Sequence, residues 1–388
     1  MEEIDFGCEI KKKLEVDRIV VSNDAIKKLV SRLVEVKQKF VVLTDANREN
    51  IQSLSNEIKG INFEIINLVS CSATVGLAES LPDKGGELVV AFGSEELVSV
   101  AKYYAYKTEK QIIICPIGNF ADFTFSCFAR LYDGIDFGFY KTNCPSEIYV
   151  DTTLNEFNRL QSYYVSSKFI AVFDNLINET VFSYEISNQM AEFFKNTLSK
   201  YLKNKSDGIW TLIRLGLAMS YFEETKYFFG ADRAIVDLMQ SIRPDGDYLE
   251  FETVALKLII NAYSCFLESP PFEGNFNINK HINLMSKFLK VPPSVIFGKL
   301  SNRNLVFMGE DIKARYKNYQ PYLKREYSKL LTKIFTLQAR IVLPKDILKT
   351  AKLNGDQIKN CFALSPLIYN RNSGLHLIAG FGYLDKLI

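Results

Sequence analysis

At 388 residues the chain is longer than one ordinary hydrophobic core serves, so two domains are the starting expectation. Apolar residues make up 47% and charged residues 24%, a balance that excludes disordered and fibrous classes. The formal net charge of +2 rests on 47 basic against 45 acidic side chains, which argues against a nucleic-acid surface.

The opening MEEIDFGCEIKKKLEV lacks the apolar core of a signal peptide, and no run approaches the ~18 apolar residues of a membrane span. The seven cysteines are dispersed without a CxxC pair, which reads as reduced thiols of a cytoplasmic protein. Cys115, inside the apolar run IIICP, reads as a small core residue.

Strand and helix signals then alternate through residue 151. DRIVVS is a β-branched strand, and AIKKLVSRLVEV has helical period. KFVVLTD is a buried strand ending on an acidic residue, with NRENIQSLSNEI a helix after it. FEIINLV, ELVVAFG and QIIICP are further strands, and SEELVSVAKYYAYKT is a helix between the last two. Near-continuous apolar strands separated by amphipathic helices predict a parallel sheet covered on both faces. Ligands of such sheets lie beyond the carboxyl ends of the strands, which places Asp45, Gly93 and the segment after Pro116 on one rim.

From about residue 152 the period becomes helical, through VFDNLINETVFSYE, GIWTLIRLGLAMSYFEET, EFETVALKLIINAYSCFLES and LKREYSKLLTKIFTLQARIV. The expected architecture is an α/β nucleotide-binding domain over 1–151 and an all-α domain over 152–388, with a cleft between them.

Gly93-Ser94 joins a strand to a helix. A glycine there lets backbone approach a phosphate, and the first helix amides attract anions. Glu95 and Glu96 suit the helix dipole but repel a pyrophosphate on the same turn.

Taken in order, these segments resemble the superfamily of dehydroquinate synthases, glycerol dehydrogenases and iron-containing alcohol dehydrogenases, nearest the glycerol-1-phosphate dehydrogenase branch. KFVVLTDAN resembles a second-strand motif ending T-D-x-N. LVVAFGSEELVSVAKYYA resembles the glycine-rich I-V-A-V-G-S-G-T-I-N-D-x-A-K-Y-x-A. IIICPIGNFADFTFSCFARL resembles S-V-P-T-A-P-S-M-D-G-Y-T-S, with Pro116, Asp122 and Ser126 in step, and PSEIYVD resembles the closing strand. In the helical half, Asp174 falls on the helix supplying the family's metal aspartate. LGLAMSYFEETKYFFGADRAIVD follows S-G-x-A-M running into S-R-P-A-S-G-S-E-H-x-x-S-H, and RNSGLHLIAGFGYLDKL resembles R-x-R-x-T-x-L-D-L-A.

The resemblance implies a Rossmann-like domain, a dehydroquinate synthase-like fold, NAD or NADP as cofactor and a small polyol or phosphorylated polyol as substrate. It implies cofactor contacts from Asp45, Gly93, Ser94, Pro116, Asp122 and Ser126, and it leaves a homo-oligomer open. Asp122 also reads as a loop residue capping the next helix.

The departures concern the metal. Relatives hold it with one aspartate and two histidines, a set suited to zinc or ferrous iron. Asp174 remains, but the first histidine position is Arg233, the second is Glu250 in LEFETVAL, and the extra histidine is Asp237. A guanidinium stays protonated and cannot ligate, so no catalytic metal is expected. Asp174, Glu250 and Asp237 are expected to surround Arg233, whose charge stands in for the ion, with Asp122, Asp174, Arg233 and Glu250 as candidate catalytic residues.

The nucleotide end departs too. Glu95 replaces a glycine, Ile117-Gly118 replaces T-A, and Phe120 and Phe123 add bulk. Two functions follow: an NAD(P)-dependent oxidoreductase, or a silent or repurposed homologue that binds a small molecule or a partner.

Overall fold

The computed structural model describes residues 16–46, 61–69, 71–154, 157–204, 207–244, 246, 248–268, 276–301, 309–337, 343–369 and 371–384. The chain divides into two compact units. One comprises Met1–Gln161 with Lys195–Glu224, the other Ser162–Phe194 with Thr225–Ile388.

The first unit is built on a six-stranded sheet, every pairing parallel, in the order β1-β8-β5-β4-β2-β3. Its strands are β1 (Arg18–Ser22), β2 (Phe40–Thr44), β3 (Phe63–Asn67), β4 (Leu88–Gly93), β5 (Gln111–Pro116) and β8 (Glu147–Asp151). β2, β4 and β8 are buried at every position, as strands covered on both faces must be, whereas the edge strands β1 and β3 are partly open. Helix α1 (Ala25–Glu35) buries Leu29, Val30 and Leu33 against Phe40, Val42, Val90 and Ile113 of the sheet. The expected helix NRENIQSLSNEI lies outside the described residues.

Helix α2 (Val75–Ser80) starts at Thr74, whose side chain accepts from the amide of Leu77. Helix α3 (Glu95–Lys107) is buried along most of its length because it packs on β4 and β5 and also on β6. β6 (Phe128–Tyr132) and β7 (Phe137–Lys141) form an antiparallel hairpin that the strand signals of the sequence do not include. Its turn spans residues 133–136: the Asp133 carboxylate accepts from the amides of Ile135 and Asp136, and Gly134 takes φ +99°. An Asp-Gly step between two aromatic-rich runs is the ordinary hairpin signal.

Beyond Asp151 all regular elements among the described residues are helical. They are α4 (Phe157–Ile177), α5 (Asn188–Lys203), α6 (Gly208–Phe222), α7 (Asp232–Ile242), α8 (Tyr248–Glu268), α9 (Ile278–Leu289), α10 (Pro293–Ser301), α11 (Glu310–Leu337), α12 (Ile347–Ala351), α13 (Gly355–Ile368) and α14 (Gly374–Gly380). Helix α4 runs on into a π-helical turn, Asn178–Phe182, closed by Ser183 in the left-handed region at φ 58°. α6 belongs to the first unit, where it packs on a 3-10 turn, Asp122–Phe125. In the second unit α7 packs on α8 and on α13, and α8 packs on α12 and α11. No described helix is long and apolar enough to cross a membrane.

Candidate functional site

In the first unit the strand registers pair Thr44 with Phe92 and Gly93 with Pro116. Asp45, Gly93, Ser94 and Pro116 therefore collect at neighbouring strand ends. The Asp45 carboxylate accepts from the Ser94 amide at 2.9 Å and also from the Ser94 hydroxyl. Ser94 is the N-cap of α3, and its Oγ accepts from the Leu97 amide at 3.2 Å. Gly93 makes this approach possible, since a Cβ there would lie 2.0 Å from Asp45 Oδ1.

Glu95, aligned by the resemblance with a glycine, is buried and accepts a hydrogen bond from the backbone amide of Ala121 at 2.5 Å. Two carboxylates thus occupy donors at the start of α3 and beside it, where an anion would otherwise bind.

Asp122 opens the 3-10 turn and is wholly buried. Its carbonyl lies so close to Gly216 of α6 that a Cβ there would stand 2.2 Å away. The Ser126 hydroxyl donates to Phe123 O at 2.7 Å and accepts from the Phe128 amide at 3.1 Å, so it holds the turn together. Phe120 and Phe123 are buried, with Phe120 edge-on to Phe125 at 5.2 Å.

Beneath this turn sits Lys102, the lysine of the AKYYA stretch, which is not among the expected site residues. Its Nζ donates to Phe123 O at 2.7 Å and Phe128 O at 3.1 Å. Burial of the ammonium pulls its pKa down to about 7.

In the second unit Asp174 is wholly buried on α4. Oδ1 accepts from the Tyr263 hydroxyl at 2.6 Å and the Gly374 amide at 2.9 Å, and Oδ2 accepts from the Ala231 amide at 2.8 Å. Asp174 thereby ties α4 to α8, to the start of α14 and to the residue before α7. Burial raises its pKa, and the Arg371 cation opposes that rise.

Arg233 on α7 is buried between two carboxylates, Asp237 at 3.2 Å and Glu252 at 3.2 Å. The rings of Tyr248 and Phe229 flank the guanidinium at 5.1 and 5.7 Å. The expectation that Glu250 faces Arg233 is corrected here: Glu250 reaches Lys352 at 3.3 Å and Arg243 at 3.9 Å, on a partly exposed face. The reason is helical geometry, because each residue turns about 100° and positions two apart face nearly opposite ways. Glu252 is the inward carboxylate of α8.

Next to Arg233, Asp232 is wholly buried, and burial followed by the Glu252 charge pushes its pKa up to about 7. Arg371, inside the C-terminal segment RNSGLHLIAGFGYLDKL, is buried as well. It donates to Tyr369, to Asn175 Oδ1 and to the carbonyls of Phe229 at 3.0 Å and Ala171 at 3.4 Å.

The residues present do not fit a divalent metal of the zinc or iron type. Both Asp174 oxygens are engaged by protein donors, and Arg233 offers a guanidinium, which cannot ligate. Among the described residues no group of three His, Cys, Asp or Glu side chains could hold a metal ion. The two histidines serve local backbone: His281 Nδ1 meets Asn277 O at 2.9 Å, and His376 Nδ1 accepts from the Ser373 amide at 3.1 Å.

No family model and no curated protein matches the sequence. Solved structures do match in fold. A probable glycerol dehydrogenase from Sinorhizobium meliloti is 12% identical with TM-score 0.58, covering 96% of each chain. An iron-containing alcohol dehydrogenase from Corynebacterium glutamicum is 10% identical with TM-score 0.55, covering 98% of this chain and 97% of its own. A maleylacetate reductase from Agrobacterium tumefaciens is 12% identical with TM-score 0.53, covering 98% of each. The chain adopts the fold of the glycerol dehydrogenase and iron-containing alcohol dehydrogenase structures, a Rossmann-like α/β part followed by a helical part.

Proposed function

We propose that this chain is a repurposed, metal-independent protein on the dehydrogenase scaffold, which binds a small molecule at the carboxyl-end rim of its sheet. The observation that carries this reading is the saturation of Asp174 by Tyr263, Gly374 and Ala231. A carboxylate holding three protein donors has little left for a cation. Arg233 adds a fixed positive charge at a position that the resemblance gives to a metal ligand. At the rim, the partly exposed Asp45 favours a ligand that offers hydroxyl or amine donors over one that offers phosphate.

The second reading is an NAD(P)-dependent oxidoreductase acting on a small polyol or phosphorylated polyol. One observation favours it: Asp45, Gly93, Ser94 and Pro116 do meet at adjoining strand ends. In that reading the nicotinamide supplies the hydride, and the protein supplies orientation and charge.

Thermal shift separates the two. The protein is titrated with NAD, NADP, their reduced forms, zinc, ferrous iron and uncharged polyols, since a ligand specific to the folded state raises Tm with the logarithm of its concentration. Stabilisation by polyols without response to dinucleotides or metals supports the first reading. A dinucleotide shift lost in Ser94→Tyr supports the second. About one tightly held zinc or iron per chain after dialysis refutes metal independence.

A further inference from the structure

Directly after the turn that carries Asp122 and Ser126, the chain enters β6 through Cys127. The carbonyl of Cys127 accepts from the Thr142 amide at 2.8 Å, continuing the β6–β7 register by one pair beyond Phe128 and Lys141. Cys144 follows Thr142 by two residues, just past the end of β7 at Lys141, and lies beside Cys127. The two thiols are close enough to influence each other's ionisation, as is the hydroxyl of Ser220 on α6. Ser220 Oγ also accepts from the Cys127 amide at 2.7 Å, which fixes the strand entry in place.

Lys102 completes the cluster. Its Nζ is held by the carbonyls of Phe123 and Phe128, on either side of Cys127, and its charge favours a thiolate there. Cys127 is buried at 5% exposure, whereas Cys144 is only partly buried and opens the pair to a small solute.

We propose that Cys127 and Cys144 form a peroxide-reactive dithiol that closes into an intramolecular disulfide. The Cys127 sulfur attacks one oxygen of hydrogen peroxide: an S–O bond forms, the O–O bond breaks, and the other oxygen leaves as water. The Cys144 sulfur then attacks the Cys127 sulfenic sulfur: an S–S bond forms, the S–O bond breaks, and a second water leaves. Two thiols and one peroxide give one disulfide and two waters, with sulfur oxidised and peroxide oxygen reduced.

Cys127 is the attacking sulfur. Hydrogen bonding by Cys144 and Ser220, with the Lys102 charge, holds its pKa below the ordinary thiol value, despite its burial. The neighbouring Cys144 is pushed up by giving its proton to that bond. Cys127 is thus the more readily ionised thiol of the pair, and the thiolate is the nucleophile.

The test uses the full chain, reduced and then exposed to graded hydrogen peroxide at pH 7. After quenching and alkylation of free thiols, the products are read by intact mass and peptide mapping. The expected product is two hydrogens lighter, carries a Cys127–Cys144 linked peptide, and forms about tenfold faster than oxidation of the exposed Cys265. In Cys144→Ser, Cys127 should stop at the sulfenic acid and be trapped by dimedone. Oxidation of Cys265 ahead of Cys127, or Cys127 oxidised without a link to Cys144, overturns the proposal. Both of those outcomes are read on the unmodified chain, so the proposal stays testable even if the variant fails to fold.

Discussion

The rim of the sheet and the buried cluster of the helical unit differ in how they hold their polar groups. At the rim Asp45 and Glu95 accept from the Ser94 and Ala121 amides, and Asp45 remains partly exposed. In the helical unit Asp174, Arg233, Glu252 and Arg371 lie inside the core, where each must find its partners within the protein. A group that water can still reach loses little when its partner is removed; a buried one leaves an orphan. The two regions should therefore answer mutation on different scales.

The largest effect is expected from Asp174→Ala. It strands the Tyr263 hydroxyl and the Gly374 and Ala231 amides. At ~1–3 kcal/mol for each orphaned buried donor, the loss should be about 5 kcal/mol by urea unfolding. An Asp174 kept open for a ligand would behave oppositely, and its removal would leave stability unchanged or improved.

Arg233→Met comes next. Removing the cation leaves Glu252 and Asp237 buried without it, a situation that costs ~3–5 kcal/mol. Glu252→Gln in the same background should restore part of the loss, and a double-mutant cycle measures how much.

At the rim, Gly93→Ala should cost about 2 kcal/mol, because its Cβ collides with Asp45 Oδ1 and forces the carboxylate off Ser94. This variant sharpens the comparison. A loss as large as that of Asp174→Ala would mean that Asp45 is as structural as the helical cluster.

Much of this architecture is legible in the sequence because parallel strands are buried on both faces and so read as apolar runs, as ELVVAFG and QIIICP do. The hairpin β6–β7 is hidden because its strands are mixed in character and its turn over residues 133–136 follows a segment that reads as a ligand loop. The exchange of Glu250 for Glu252 has a different origin. Matching short motifs fixes a helix but not its phase, and an offset of two residues reverses the face. Lys102 and Arg371 fall inside segments that carry the resemblance, but nothing local in the sequence marks either cation as buried; tertiary packing decides it. The placement of α6 with the sheet is of the same kind, resting on Gly216 meeting the carbonyl of Asp122.

Lys102 adds a pH signature to the first unit. Its folded pKa of about 7 lies below the ordinary 10.5 because burial disfavours the ammonium. Between those values the unfolded chain holds the extra proton, so this contribution to stability grows as pH rises through that window and is lost as pH falls toward 7. Urea unfolding from pH 7 to 10 should show that slope, and Lys102→Met should flatten it. An unchanged slope in the variant would assign the linkage to other groups.

The smallest effect is expected from Glu250→Gln, which tests the corrected partner of Arg233 most directly. Glu250 retains 27% side-chain exposure and faces Lys352 and Arg243 at 3.3 and 3.9 Å. Partly exposed pairs of this kind contribute ~0–1 kcal/mol, so the change in unfolding free energy should stay within about 0.5 kcal/mol. Glu252→Gln alone takes the charge from a carboxylate at 3% exposure, and it should cost several times more. The ratio of the two losses is the discriminating quantity, because both variants remove one negative charge from the same helix. If Glu250→Gln proved the more damaging, α8 would have to be turned by about half a revolution, returning Glu250 to Arg233. If both proved harmless, the carboxylates around Arg233 would be solvated, and the contrast between an accessible rim and a sealed helical cluster would fail.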